Sequence, residues 1–339
     1  MRSIICVLLY LFSSAVQAET VRLYNWADYL APSVIEAFEQ ETGHRVEQTF
    51  FDDEEVRDQM LYSGKLSYFD LVMIDNVGAQ QMVQEGLLQP LTLPPSLQQH
   101  LAPARIKACG NHTIPYAWGT VGVAYRAQQG KPKTWREFFD PSSPHIQRVM
   151  HLSPDETLGV ALLALGAPAY SDDPEAIDQA AGLIRSQPAQ TGFALTLAEE
   201  QGAQFDAHWA LVFSSDLGPL RESTGQQDWQ YTIPDEGSLI WIDCLAAPAG
   251  HPIRPATQAF IEFINRPTIA AQNAELMAFA TSNLAALQHA TQRYIENTTL
   301  FTPPELLERS HDFEAISDEM LEYRNQWIFN LTQTMATAQ

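Results

Sequence analysis

The sequence has few basic residues. Its 19 lysine and arginine residues stand against 41 aspartate and glutamate residues, which gives a formal net charge of −22 at pH 7. Nucleic acid is not an expected partner for so acidic a chain, because its phosphates would be repelled. A cationic ligand agrees with this charge, although an acidic surface can also serve solubility alone.

Motifs of the common enzyme classes are also missing. The chain contains no GxSxG or GxGxxG sequence, no phosphate-binding loop ending in Gly-Lys-Ser/Thr, and no HExxH. Its nine histidines are scattered, and His112, His151 and His208 occur singly beside strand-like runs. No catalytic residue is therefore assigned. Since there is no CxxC or Cys/His cluster either, neither a metal nor another cofactor is expected.

Long hydrophobic runs are absent after the first residues of the chain. Residues 1–18 combine Arg2, an apolar run at Ile4–Phe12 and small residues up to Ala18, which is typical of a secretory signal peptide. The run is too short for a permanent membrane anchor, which needs ~20 apolar residues. The sequence predicts cleavage after Ala18 and a mature protein in the periplasm.

Cysteine is scarce as well, with three in the whole chain. Cys6 lies in the signal segment and is interpreted as one of its apolar residues. Cys109 and Cys244 remain in the mature chain, and thiols tend to pair in an oxidising compartment. A disulfide between them is expected, with two separate buried thiols as the alternative.

Strand-like and helix-like segments alternate along the first part of the mature chain. Val21–Trp26 predicts a strand, Pro32 to Gly43 a helix with a C-terminal glycine, and Phe69–Ile74 an apolar strand. Thr113–Tyr125 is rich in β-branched and aromatic residues and is long enough to pass from one lobe to the next. Such alternation is typical of an α/β fold with mostly parallel strands.

The same alternation resumes in the second part. Asp173 followed by Pro174 predicts the start of a helix, and Trp209–Phe213 predicts a buried strand. Because about 320 mature residues exceed what one core usually organises, two lobes are expected. Ligands of open α/β folds bind at the carboxyl ends of strands, between such lobes.

Aromatic and acidic residues follow several of the predicted strands. The residues that share this pattern are Trp26, Asp28, Tyr29, Asp75, Asp155, Glu156, Asp216, Trp241 and Asp243. The set suits an alkyl polyamine, because carboxylates bind ammonium groups and aromatic faces line the methylenes. Each residue alone has a plain structural alternative, such as a core position or a helix cap, so the prediction depends on the set.

Several longer stretches resemble the spermidine/putrescine-binding proteins of bacterial polyamine importers. They are Val21–Pro32, Phe69–Leu71, Ile114–Gly119, Gly237–Pro248 and Thr281–Ala286. The resemblance implies a type II periplasmic binding protein fold, with a ligand cleft between two lobes joined by crossing strands. It implies a lobe of residues 19–120 plus 244–300, and a second of residues 121–243 plus 301–339.

The resemblance also implies roles for single residues. Trp26 and Tyr29 match aromatic residues that enclose an amine, Trp241 and Asp243 match a tryptophan and an aspartate that contact the polyamine, and Glu156 matches an acidic ligand. Phe213 and Phe279 occupy positions where the family has a tryptophan and a tyrosine. Asp75, Val77 and Ser153 depart from the serine, tyrosine and aspartate that are usual, so the preferred amine spacing is expected to differ.

Other phrases are similar to a branch of periplasmic norspermidine and spermidine sensors. They are Cys109-Gly110, Phe51-Asp52 followed by Arg57, and Trp241–Cys244. The implied membrane partner is either an ABC permease or a membrane GGDEF/EAL protein, and the binding protein itself is expected to be a monomer and not an enzyme. Two alternatives stay open: another small solute, with Arg22, Arg45 or Arg57 contacting an anion, and a secreted hydrolase.

Overall fold

The computed structural model describes residues 18–51, 54–143, 145–150, 154–187, 189–192 and 194–336. The expected signal segment before residue 18 and the departure at Ser153 lie outside these residues. The strands are β1 (Thr20–Trp26), β2 (Arg45–Phe51), β3 (Leu71–Asp75), β4 (Leu88–Gln89), β5 (Ile114–Arg126), β6 (Arg148–Met150), β7 (Ala189–Thr191), β8 (Trp209–Phe213), β9 (Trp229–Thr232), β10 (Leu239–Pro248), β11 (Ala280–Thr281) and β12 (His311–Asp312).

Helices alternate with these strands and cover the sheet. They are α1 (Pro32–Thr42), α2 (Glu54–Tyr62), α3 (Asn76–Gln84), α4 (Pro95–Gln98), α5 (Pro103–Cys109), α6 (Trp135–Phe138), α7 (Gly159–Ala164), α8 (Pro174–Arg185), α9 (Ala194–Gln201), α10 (Leu217–Thr224), α11 (Pro255–Ile264), α12 (Pro267–Met277), α13 (Gln292–Ile295), α14 (Pro304–Leu307) and α15 (Asp318–Ala336). In the described part of the chain, no helix combines the length and the apolar character that a membrane crossing needs.

The strands run in the order β2-β1-β3-β10-β5-β8-β6-β7. β1, β2 and β3 are parallel, and so are β8, β6 and β7, whereas β10 is antiparallel to both of its neighbours β3 and β5. The α/β architecture expected from the alternation is confirmed, but the expectation of mostly parallel strands is wrong. The sheet is mixed, because β10 and β5 run antiparallel to the strands beside them. The carboxyl ends of each parallel set therefore meet at one edge, which is where ligands bind in such folds.

Strand β5 connects the two sets of strands. Residues 114–120 pair with β10, whereas Val121–Tyr125 pair with β8 and Val123–Arg126 with β9. The long apolar run in the sequence thus forms a continuous strand that changes partners after Thr120. The apolar cores divide in the same way: Phe38 and Phe260 pack in the first part, and Trp135 and Trp229 in the second.

Local sequence signals account for most element ends. Gly43 ends α1 in the left-handed conformation (φ 73°) and bonds back to Glu39, as a C-terminal glycine does. Asp173 caps α8 by accepting from the backbone N–H of Glu175. The third strand begins at Leu71 and not at Phe69, because the backbone N–H of Phe69 still closes the preceding 3-10 turn by donating to the carbonyl of Leu66. Short elements such as α9 and β9 carry no clear sequence signal.

Candidate ligand-binding site

Three parallel strands end beside one another at the same edge of the sheet. β1 ends at Trp26, β2 at Phe51 and β3 at Asp75. The rings of Trp26 and Phe51 pack at 4.4 Å between centroids, and the Arg57 guanidinium lies 5.5 Å from the Phe51 ring. The edge therefore combines aromatic surface with charged groups, as the carboxyl ends of strands in a binding fold are expected to do.

Two aspartates lie directly opposite each other at this edge. Asp75 of β3 is the cross-strand partner of Asp243 of β10. Like charges in such a pair destabilise a sheet unless other groups compensate them. Asp75 is compensated twice: one oxygen accepts from the backbone N–H groups of Val77 and Gly78 at the start of α3, and the other accepts from Arg57 Nη2 at 2.8 Å.

Asp243 is compensated differently. It is only 4% exposed and accepts a hydrogen bond from the Tyr29 hydroxyl. Burial raises the pKa of Asp243 to about 6, an effect that the charge of Asp75 strengthens and that the Tyr29 hydrogen bond and Arg57 oppose. A buried carboxylate without a directly paired cation is costly, and a positively charged ligand group would remove this cost.

Two glutamates complete the acidic cluster, which we define as Glu54, Asp75, Glu156 and Asp243. The Glu54 side chain is 51% exposed but surrounded by protein groups on most sides, as expected for a residue that lines a cleft. Burial raises its pKa well above the usual value, and the charge of Asp75 raises it further, while Arg57 lowers it. Asp243 and Glu156 add smaller increases, so the other three carboxylates all lie within electrostatic reach of Glu54. Glu156 itself is 8% exposed and lies in the single π-helical turn Pro154–Leu158 after β6.

Aromatic side chains line the adjoining surface. Trp241 lies two residues before Asp243 on β10, so the two side chains share one face of the sheet. The Trp241 and Phe213 rings meet edge to face at 6.3 Å. The indole Nε1 of Trp241 is buried without a hydrogen-bond partner among the described residues. Phe213 ends β8, so this aromatic pair joins the two sets of strands.

Gly119 provides the space that Trp241 occupies. The two residues are cross-strand partners, and a Cβ at position 119 would lie 2.5 Å from a ring carbon of Trp241 and from Ser214 Oγ. We therefore expect Gly119→Ala to lower the free energy of unfolding by about 1–3 kcal/mol through overpacking. Denaturant unfolding measures this, with Gly182→Ala as the matched control.

Gly182 lies inside α8, and apart from the backbone of this helix and the neighbouring residues no atom lies within 4 Å of the position that an alanine methyl group would take. Alanine at this position should leave stability unchanged or raise it by about 0.5–1 kcal/mol, because glycine weakens a helix interior. If Gly119→Ala proved as stable as Gly182→Ala, the close packing of Trp241 on β5 would be refuted.

Tyr29 is held in place from its other side. Its ring lies 5.8 Å from Phe279 and 6.4 Å from Tyr116. Its backbone carbonyl accepts from the Tyr116 hydroxyl at 2.7 Å and from Asn273 Nδ2 at 3.1 Å. Phe279 is buried directly before β11. These contacts fix the Tyr29 hydroxyl beside Asp243, so Tyr29 and Phe279 belong to the same group of side chains as the acidic cluster.

Asp28 and Asp216 are placed differently from the rest. Asp28 is exposed in the turn after β1 with a φ of 58°, a left-handed conformation that aspartate tolerates better than most residues. This conformation places Asp28 within the turn itself. Asp216 accepts from the backbone N–H of Phe213 at 2.9 Å, and burial raises its pKa to about 7. It thus supports the Phe213 side of the aromatic pair.

Sequence patterns do not identify Glu54, Phe51, Tyr116 or Asn273 as members of this group. They indicate Arg57 only as a contact for an anion. Glu54 and Arg57 lie at i and i+3 on α2, which is the only local signal for their ion pair. The approach of Asn273 to Tyr29 spans 244 residues of sequence and leaves no local pattern.

Cys109 and Cys244 are joined, as expected. Cys109 at the end of α5 and Cys244 of β10 form a disulfide with a Cα–Cα distance of 5.8 Å, and both are buried. The bond attaches β10 to α5 at the residue after Asp243. Within the ranges that the structure describes, no group of three or more histidine, cysteine, aspartate or glutamate side chains is arranged to hold a metal ion.

Similarity to known proteins extends over most of the chain. Residues 33–302 match the family model for bacterial extracellular solute-binding proteins. The chain is 30% identical to the norspermidine sensor of Vibrio cholerae, over 92% of this chain and 88% of that protein. It is 26% identical to the spermidine/putrescine-binding periplasmic protein of Escherichia coli, over 90% of each chain.

A solved structure has the same fold. The substrate-binding protein PotD of a spermidine/putrescine ABC transporter from Streptococcus pneumoniae superposes with a TM-score of 0.80 at 22% sequence identity, over 93% of this chain and 99% of that one. The expected two-lobe fold is thereby confirmed. These similarities, together with the family match, cover nearly the whole described chain.

Proposed function

The chain belongs to the bacterial extracellular solute-binding protein family, and we propose that it binds a polyamine in the cleft between its lobes and presents it to a membrane partner. The observation that carries this proposal is the buried Asp243 carboxylate, which has Tyr29 as hydrogen-bond donor and Trp241 on the same face of β10. The polyamine-related names of its relatives support the same ligand class.

The chemistry of this group of side chains suits an ammonium group on an alkyl chain. A carboxylate binds an ammonium through a charge-assisted hydrogen bond. The faces of Trp241, Phe213 and Tyr29 offer apolar contact for methylenes and cation–π attraction of about 0.5–2 kcal/mol each. Several such contacts are needed for micromolar binding, which corresponds to roughly 8 kcal/mol.

The surroundings of Arg22, Arg45 and Arg57, the candidate contacts for an anion, favour a cationic ligand instead. Arg57 is fully buried and paired with carboxylates. Arg22 lies 4.4 Å above the ring of Tyr68, and Arg45 is exposed at the start of β2. Since none of these three presents its charge to the acidic cluster as an open anion site, a small anionic metabolite is a weaker candidate than a polyamine.

The lobes follow the change of partners in β5. We propose that the first lobe contributes Tyr29, Glu54 and Asp243 and the second contributes Glu156 and Phe213, with the boundary after Thr120. The division expected from the sequence, 19–120 plus 244–300 and 121–243 plus 301–339, has the same boundary after residue 120 but assigns Asp243 to the second lobe. We assign Asp243 to the first lobe, because it pairs with Asp75 of β3. Ligand that contacts both lobes binds the closed state preferentially and shifts the population towards it.

Location and partner follow from the family in the same proposal. The relatives include periplasmic binding proteins, which supports a periplasmic location and a binding role without catalysis. We further propose that the protein is released by cleavage after Ala18 and acts as a monomer. The membrane partner is either an ABC permease or a GGDEF/EAL sensor. The similarity to the substrate-binding protein of an ABC transporter supports the first, and the similarity to a norspermidine sensor supports the second. Co-purification with each candidate membrane protein, with and without ligand, decides between them.

Thermal unfolding with a polyamine series tests the ligand class. A ligand that binds only the folded protein adds RT ln(1 + [L]/Kd), or about 2.7 kcal/mol at a hundredfold excess over Kd, which corresponds to a rise in Tm of roughly 5 °C. We expect this shift with norspermidine, spermidine or putrescine. Glutamate at the same concentration is the anionic control, and the absence of a shift with every amine would refute the proposal.

A further inference from the structure

Arg57 is a buried cation next to the acidic cluster. Its side chain is 0% exposed and makes ion pairs with three carboxylates: Nη2 with Asp75 at 2.8 Å, Nε with Asp58 at 2.7 Å, and Nη1 with Glu54 at 3.7 Å. Burial lowers the pKa of Arg57, but these carboxylates raise it by more, so the group stays charged. The guanidinium is therefore a permanent positive charge next to Asp75 and Asp243. We call the surface formed by these two opposed aspartates the wall of the cleft.

Because of this charge, the two opposed aspartates differ: Asp75 is paired with a cation of the protein, and Asp243 has none among the described residues. Asp75 uses one oxygen to cap α3 and the other to bind Arg57. Asp243, its cross-strand neighbour, accepts from the Tyr29 hydroxyl and forms no ion pair with an arginine of the described chain. Arg57 also lies near enough to Asp243 to lower its pKa, so its field reaches the position where a ligand ammonium would bind.

We propose that Arg57 is a specificity-determining residue: it satisfies Asp75 from inside the protein, so that this wall receives one ammonium group of the ligand, at Asp243, and repels a second. The inference deepens the proposed function and rests on it. Its physical basis is that two cations a few ångströms apart repel strongly in a partly buried site. The unusual aspartate at position 75 thus accompanies an arginine and does not add an ammonium site.

A direct contact between Asp75 and the ligand would change the binding affinities in a different way. If Asp75 contacted the ligand directly, its loss would weaken binding whether or not Arg57 was present. If Asp75 instead serves to neutralise Arg57, its loss harms binding only while the arginine charge remains. A double-mutant cycle separates these two cases, because it measures the coupling between the residues.

The cycle uses Asp75→Asn, Arg57→Met and the double variant in the full mature chain. Asparagine keeps the cap of α3, so Asp75→Asn isolates the charge. We expect Asp75→Asn to weaken binding of putrescine, spermidine and spermine by roughly 10- to 100-fold, because the negative charge directly opposite Asp243 is lost and Arg57 keeps only Asp58 and Glu54 as partners. The double variant removes both charges and should return to within about threefold of the wild-type affinities, since the net charge of the pair is again zero.

Arg57→Met alone leaves Asp75 available to a ligand. We expect the ratio of spermine to spermidine affinity to rise by about tenfold in this variant, because a second carboxylate then accepts an ammonium. Asp58→Asn is the matched control: it removes another carboxylate from the same guanidinium, at Nε, without changing Asp75, and should alter each affinity less than about threefold. Melting curves of all variants verify folding.

The comparison of Asp75→Asn with the double variant does not depend on Arg57→Met being stable. A double variant that binds as weakly as Asp75→Asn would overturn the proposal and make Asp75 a direct ligand contact. An unchanged spermine to spermidine ratio in a folded Arg57→Met would overturn it as well. If the wild type bound no amine, the proposed function itself would fail. This outcome differs from one in which the wild type binds but the effects of the two substitutions simply add, which would contradict only the role of Arg57.

Discussion

Replacing Asp243 with asparagine should weaken polyamine binding by about 2–5 kcal/mol, which is roughly 30-fold to several thousandfold in Kd. The side chain keeps its shape and can still accept from Tyr29, so the change removes mainly the charge that meets an ammonium. Calorimetric titration of the mature protein with spermidine measures the effect. Binding at wild-type affinity would show that Asp243 does not contact the ligand.

The same substitution should stabilise the free protein. The pKa of Asp243 is raised in the folded state to about 6, so between its ordinary pKa and 6 the folded protein holds more protons than the unfolded chain. Stability from this group is therefore present at low pH and lost as the pH rises through 6. At pH 7.5 we expect Asp243→Asn to raise the free energy of unfolding by about 1–3 kcal/mol. Lost affinity together with higher stability excludes misfolding as the cause.

The affinity of the wild type should fall as the medium becomes acidic. An ammonium binds the ionised carboxylate, so protonation of Asp243 near pH 6 competes with the ligand, and Glu54, whose pKa is also raised, adds to the effect. Titrations from pH 5 to 8 should show a smaller slope for Asp243→Asn. Asp216→Asn is the control, because the pKa of Asp216 is raised to about 7 by burial but its carboxylate accepts from the backbone N–H of Phe213.

Removing the disulfide should produce the largest loss of stability. Cys109 and Cys244 are 135 residues apart in sequence, so their bond closes a long loop. The chain-entropy model assigns such a loop up to about 5 kcal/mol, and native disulfides usually contribute about 2–5 kcal/mol. We expect Cys109→Ala with Cys244→Ala to lower Tm by roughly 5–10 °C.

Reduction of the wild type provides the control for this double variant. If the disulfide is the cause, the reduced wild type should melt close to the variant, and the variant should not respond to reductant. Because Cys244 directly follows Asp243 on β10, the titration with spermidine should be repeated on both samples. Equal melting temperatures for oxidised wild type and double variant would contradict the expected stabilisation.

Local patterns explain why much of the fold is predictable. The sequence predicts a helix from Pro32 to Gly43, where α1 occurs, and Pro174 after Asp173 marks the start of α8. Such signals depend on residues close together in sequence, since helix caps and alternating apolar positions act over one or two turns. Predicted ends are wrong where a neighbouring turn intervenes: β3 starts at Leu71 and not at Phe69, because the Phe69 N–H donates to Leu66 in the preceding turn.

The site is less accessible to the same reasoning. Aromatic and acidic residues at strand ends indicate which part of the fold to inspect, and the structure places Tyr29, Asp75, Trp241 and Asp243 there together. The pattern cannot rank them, because a carboxylate that caps a helix and one that faces a ligand have the same local sequence. Asp28 illustrates this: its position after a strand suggests a ligand contact, whereas its conformation accounts for a turn.

The amino-acid sequence by itself determined the α/β alternation, the crossing strand and the cysteines available for pairing, since each depends on residue type and short-range periodicity. Only the tertiary structure decided that Arg57 satisfies Asp75 and that Tyr29 reaches Asp243 across 214 residues. The physical reason is that a buried charge is governed by the groups that folding brings within a few ångströms of it, and separation along the chain does not reveal which groups these are.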